Sequence, residues 1–192
     1  MRSDKCPITD FTECSVNVST QYDDFKKNIN WQFEIQNVNY FNGCPYKNLV
    51  LSEGSLTKSL IELCDDFSVN VLAQQTDIPF LHEQQLLNND EQKQAVIRQV
   101  ELVLKGQPVV YARSILPIEL MENASSGLSN LGKNPLGHLL FKQGQIKSTQ
   151  RQYAECKFKG EQSLSRRTPY QYLGSKVLVS EFFLPAIGNF LK

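Results

Sequence analysis

The spacing of apolar positions changes several times along the chain, and each change marks an element. From Pro45 the run PYKNLVL predicts a short helix opened by proline. After Gly54, SLTKSLIELC predicts a second helix, with Ser55 as N-cap and Leu60, Ile61 and Cys64 as its apolar stripe. SVNVLAQQ alternates and predicts a strand. AVIRQVELVL and PVVYARSIL are two β-rich runs joined around Lys105, Gly106 and Gln107, the pattern of a hairpin. Asn134 as N-cap and Pro135 at N1 open a further short helix, PLGHLLF, and VLVSEFFLP predicts a last strand. Ahead of Pro45 the period is weak. Residues 1 to about 44 are rich in Asn, Asp, Ser and Thr with scattered aromatics such as Trp31, Phe33, Tyr40 and Phe41. The expected organisation is a polar N-terminal extension over 1–44, of uncertain structure, followed by a single domain over 45–192.

Three charges interrupt these apolar strands: Arg98, Arg113 and Glu181. A charge on the inward side of a strand is costly unless it is paired or liganded, so the three are either an ion-pair network or a binding site. Period two places Arg98 on one face with Val96, Val100, Leu102 and Leu104, and Arg113 on one face with Val109, Tyr111 and Ile115. With Lys105 and Gly106 as the central turn residues, Arg98 lies opposite Arg113; with Gly106 and Gln107, Arg113 lies opposite Val100, one diagonal step away. Both registers point the two guanidinium groups the same way, whereas a three-residue loop separates them. Two converging guanidinium forks match a carboxylate or phosphate, so an anionic ligand is one reading and distant Asp or Glu partners are the other. Glu181 shares its face with Val177, Val179 and Phe183 and is expected to be buried, as an arginine partner, a general base or a hydroxyl anchor. The helix starts at Leu56 and Leu136 add neutral anion donors, because first-turn amides have no intrahelical acceptor. The neighbouring pair Arg166 and Arg167 reads as a solvated basic turn in preference to a site contribution.

Composition narrows the function. Twenty Lys+Arg against twenty Asp+Glu leave no basic excess for a phosphate backbone, so nucleic acid is excluded as a partner. Five cysteines, Cys6, Cys14, Cys44, Cys64 and Cys156, lie far apart without a Cys-x-x-Cys pair, and read as reduced thiols of a cytoplasmic protein. Two distant histidines, His82 and His138, offer no metal site or Ser/His/Asp triad. No run is long enough to insert in a membrane, and the N-terminus has no apolar signal core.

Four blocks, LSEGSLTKSL, VIRQVELVLKGQPVVYARSILP, LGKNPLGHLLF and SRRTPYQYLGSKVLVSEFFLPA, resemble in order and spacing the chorismate pyruvate-lyase family, over about residues 45 to 186. The resemblance implies a monomeric α+β fold with a central antiparallel β-sheet and helices packed around it. It also implies conversion of chorismate to 4-hydroxybenzoate and pyruvate, the entry step to ubiquinone, with no cofactor or metal. The family's ligand contacts fall on Leu56, Arg98, Leu136 and Glu181, with Arg113 lining the same site. The resemblance implies that Arg98 and the two helix-start amides hold the ring carboxylate while Glu181 meets the ring hydroxyl. From the chemistry of the elimination, Arg113 is expected to stabilise the charge on the leaving group and Glu181 to hold the C4 hydroxyl or act as base, which makes them the catalytic pair. Leu56 stands where the family has a methionine, and Ala112 where a glycine precedes the second arginine. Two alternatives remain: a non-catalytic, effector-sensing domain of the same fold that binds a small carboxylate, or a lyase that makes another hydroxybenzoate.

Overall fold

The computed structural model describes residues 22, 29–88, 92–142, 147–148 and 150–191. Among them, seven strands form one sheet: β1 (Phe67–Asp77), β2 (Ala95–Leu104), β3 (Gln107–Pro117), β4 (Lys147–Ser148), β5 (Gln152–Phe158), β6 (Glu161–Tyr172) and β7 (Ser175–Phe183). Among the described residues five α-helices accompany it, besides short 3-10 turns: α1 (Lys47–Leu51), α2 (Leu56–Leu63), α3 (Leu81–Leu87), α4 (Ile118–Glu122) and α5 (Leu136–Lys142). Every pairing is antiparallel, in the order β1-β2-β3-β7-β6-β4, with β5 also on β6. The fold is therefore α+β, a central antiparallel sheet with helices packed around it.

The β2–β3 hairpin turns on Lys105 and Gly106, whose φ of 46° and 74° are the positive values a type I′ turn needs. One expected register thus begins correctly, since Leu104 faces Gln107 and Val103 faces Pro108. Val109 is then an extra residue: Leu102 pairs with Val110, and the shift continues down the ladder. This bulge brings Ser114 opposite Arg98 and moves Arg113 opposite Gln99. A bulge in β1, between Val71 and Ala73, makes the matching shift and sets Gln74 opposite Arg98.

The two faces of the sheet are unlike. Toward α1 and α2 lies an apolar cluster that includes Leu60, Leu102, Val110 and Phe183, and toward α4 and α5 a second that includes Leu120, Leu136, Leu140 and Val177. Ile35 and Val38, from the residues ahead of Pro45, belong to the first cluster. The opposite face carries α3 and a buried polar layer. Glu83, in the first turn of α3, accepts from Arg113 Nε at 2.8 Å and Nη2 at 3.0 Å and also from the backbone N–H of Phe80 at 3.0 Å. Arg167 lies 4.4 Å over the Trp31 ring and donates to Gln152, with His82 Nδ1 2.9 Å from its Nη1. Burial holds the His82 imidazole below its usual range; nearby Glu83 opposes this, and Arg167 and Arg113 add to it in smaller measure. The Tyr22 ring stacks on Tyr111 with centroids 4.2 Å apart, and its hydroxyl donates to Glu101.

Cys44, Cys64 and Cys156 are buried free thiols; Cys6 and Cys14 lie outside the described residues. No helix among the described residues is long and apolar enough to cross a membrane.

Candidate active site

A cleft of about 580 Å³, its open mouth included, lies over the near face of the sheet between α2 and α5. Its floor is Val100, Ala112 and Val179, its roof is the first turns of the two helices, and charge enters it from Arg98, Arg166 and Glu181.

Arg98 reaches it from β2. The side chain is 3% exposed, and its bonds go to neutral oxygens: Gln74 Oε1 at 2.7 Å, Gly132 O at 2.8 Å and Asn134 O at 3.3 Å. No carboxylate among the described residues forms an ion pair with it. Burial accordingly pushes this guanidinium below its usual range. A desolvated cation facing a cleft with only neutral acceptors gains from a carboxylate ligand. Its two carbonyl partners fix the loop before α5, so the same side chain shapes the roof.

Leu56 begins α2 behind the Ser55 cap, whose hydroxyl accepts from Lys58 N at 3.4 Å. Leu136 begins α5, one residue later than the Pro135 start expected from the pattern, and both leucines line the cleft. Gly137 lies where the two helix starts meet: a Cβ there would be in ordinary contact, 3.4 Å from Thr57 Oγ1 and 3.6 Å from Ser55 Oγ. The first turns of two helices thus border the cleft together with Arg98, and first-turn amides have no intrahelical acceptor.

Glu181 enters from β7, across the floor from Arg98, and is paired with Arg166 on β6. The expected solvated turn at Arg166 and Arg167 is a correction. Both are buried, on a continuous strand, and adjacent strand residues face opposite sides: Arg166 lines the cleft while Arg167 joins the far-face layer. Pro169 disguised the strand. It sits where β5 pairing has ended at Arg167 and β4 pairing has yet to begin at Tyr170, a gap in which a missing N–H costs little. Strand parity, had the run been read as a strand, would have singled out Arg166, as well as Thr168 and the cleft residue Tyr170.

Arg113 is the second correction. It does not line the cleft or share a face with Arg98; the Val109 bulge turns it to the far side, where it pairs with Glu83 and lies 4.6 Å over the Phe80 ring. Its neighbour Ala112 lies on the cleft floor, opposite Val100 on one side and Glu181 on the other. We expect Ala112→Val to overfill that floor at about 1–3 kcal/mol and to raise KM roughly tenfold with little change in kcat. Steady-state kinetics checks this; an unchanged KM would show that the ligand does not reach Ala112.

The family model for chorismate lyase matches residues 26–189. The chain belongs to the chorismate lyase family. A protein of Methylococcus capsulatus named probable chorismate pyruvate-lyase is 34% identical over 151 residues, covering 72% of this chain and 93% of that one. One of the same name from Aromatoleum aromaticum is 37% identical over 150 residues, with 70% and 81% covered. A third, from Shewanella loihica, is 33% identical over 157 residues, with 73% and 80% covered. Among solved structures, a gene product of Staphylococcus aureus superposes with a TM-score of 0.53 at 11% identity, over 72% of this chain and 92% of that one, a likeness of fold alone. Membership makes the chain a lyase of small-molecule type and disfavours the effector-sensing alternative.

Proposed function

We propose that the protein eliminates pyruvate from chorismate to give 4-hydroxybenzoate, the first step toward ubiquinone, as a monomeric cytoplasmic enzyme that uses no cofactor or metal. The observation that carries this reading is Arg98: a buried guanidinium, facing the cleft with neutral partners only, beside two helix starts. In this reading the ring carboxylate lies between Arg98 and the amides of Leu56 and Leu136. Glu181 receives the C4 hydroxyl. Arg98 and Glu181 stand two strands apart, roughly 10 Å, and two residues apart along the strands, roughly 7 Å more. Anchors at opposite ends of a cleft suit a ring whose carboxylate and hydroxyl are para, which favours 4-hydroxybenzoate over its isomers.

Aromatisation drives the reaction. The C3–O bond breaks, the C4 hydrogen leaves the ring, and the enolpyruvyl methylene gains a hydrogen to become the methyl of pyruvate. Direct transfer of that hydrogen from C4 to the methylene balances the step without a base. The protein then contributes by fixing the ring at both ends, so that the side chain folds over C4, and by keeping water out. Arg113 supplies no charge to this cleft.

The test is to mix pure protein with chorismate and follow pyruvate in a coupled assay and the aromatic product by absorbance and chromatography. Equimolar pyruvate and 4-hydroxybenzoate are expected; no pyruvate above the uncatalysed rate would refute the reading, and a different isomer would refute the pose.

A further inference from the structure

Arg166 is 1% exposed, and its guanidinium is engaged on two flanks. Nε donates to Glu181 Oε2 at 2.5 Å, while Nη1 lies 3.0, 3.0 and 2.7 Å from the carbonyl oxygens of Leu49, Val50 and Ser52. Those carbonyls end α1, whose last turn has no basic side chain of its own. A strand arginine therefore adds a charged donor to the carbonyls of a helix C-terminus, of which Leu49 O also accepts from Ser52 N and Oγ. The Phe183 ring, 5.7 Å from its Cζ, walls the group in. Ser52 O is also held by Arg151 Nη1 at 2.8 Å, and Arg151 Nε donates to Thr168 Oγ1 at 3.0 Å, so the end of α1 is tied to β6 twice. Held this way, Arg166 cannot follow Glu181 if the carboxylate swings. Glu181 keeps its charge-assisted bond in one orientation only. Among the described residues Oε1 of Glu181 accepts no hydrogen bond, and the side chain borders the cleft.

We propose that Arg166 is a positioning residue of the site: it ties Glu181 to the end of α1 so that Oε1 is presented as the acceptor for the ring hydroxyl. Glu181 then acts as an anchor and not as a base, because taking a proton would leave the buried guanidinium without its counter-charge. The inference rests on the lyase reading and adds to it the choice between base and anchor. It also assigns α1, which touches the cleft nowhere, a part in recognising the substrate.

The experiment compares two probes, 4-hydroxybenzoate and benzoate, which differ only in the hydroxyl. Both carry the carboxylate that Arg98 and the helix starts hold. Native protein should bind 4-hydroxybenzoate about tenfold or more tighter than benzoate by calorimetry, as a hydrogen bond to a charged acceptor gives. In Arg166→Met that preference should fall to about twofold or less, with benzoate affinity held within about threefold and kcat with chorismate lowered. A merely structural role would weaken both probes together and leave the preference intact, which would overturn the inference. Should Arg166→Met not fold, Arg166→Lys decides: an ammonium reaches the carboxylate or the α1 carbonyls but does not span both, so the preference should drop. An undiminished preference in the Lys variant would overturn the inference as surely. Absence of pyruvate production and of binding to either probe in the native protein is the separate outcome that removes the lyase reading itself.

Discussion

Arg98→Ala should lower affinity for 4-hydroxybenzoate by a factor of roughly 30 or more, and kcat/KM for chorismate at least as much. Removing one partner of a desolvated, hydrogen-bonded charge pair costs on the order of 2–5 kcal/mol. Here the cation is already buried in the unliganded fold, with Gln74, Gly132 and Asn134 supplying neutral acceptors. The desolvation is thus met on folding and not on binding, which is the preorganisation that makes the contact strong. The same substitution should change stability little, because the three lost hydrogen bonds are offset by release of a buried charge that no carboxylate compensates. A shift in Tm of a few degrees corresponds to about 1 kcal/mol in a domain of this size. Calorimetric titration and a thermal melt of one variant separate the two effects. Unchanged affinity would remove Arg98 from the site, and a collapse in Tm with affinity retained would make it a structural residue.

Glu83→Ala should do the reverse. The Glu83–Arg113 pair has two bonds of 2.8 and 3.0 Å and side chains 3% and 7% exposed, on the sheet face away from the cleft. Breaking a buried pair by removing one member costs about 3–5 kcal/mol, since the other charge stays buried and unmatched. For a chain of this length that is a fall in Tm of roughly 6–20 °C. The loss is compounded at α3, where Glu83 also accepts the Phe80 N–H. Below the melt, kcat/KM should stay within about twofold of the native value, because neither Glu83 nor Arg113 lines the cleft. Glu83→Gln, which keeps the acceptor and loses the charge, should fall between. Loss of activity without loss of Tm would return Arg113 to the mechanism.

The contrast between Arg98 and Arg113 shows where legibility ended. Both stood out as charges in apolar runs, and both are buried, as the cost of an inward charge demands. Their faces depended on strand parity, and parity survives only while the ladder is regular. The hairpin around Lys105, Gly106 and Gln107 was legible because glycine supplies the positive φ its turn needs, while which two residues make the turn was left open. The extra residue at Val109 was not, because a bulge in a valine pair leaves no compositional trace. A one-residue slip exchanges the faces of every residue beyond it. The same slip in β1 delivers Gln74 to Arg98, a partner distant in sequence that no local pattern announces.

Local patterns, then, were enough for some of the elements: the helix after Pro45, the Ser55 cap, the hairpin, the last strand and the presence of misplaced charges follow from spacing and backbone preference between near neighbours, whereas α3, α4, β5 and β6 were not read. The four family-like blocks carried the fold class and the class of reaction. What the tertiary structure alone decided is which charges meet. Arg98 is left with neutral partners, Arg113 is neutralised by Glu83, and Arg166 is fastened to both Glu181 and the end of α1. The reason is physical: the energy of a buried charge depends on groups brought within a few ångströms by folding, and those groups come from strands and helices far apart along the chain.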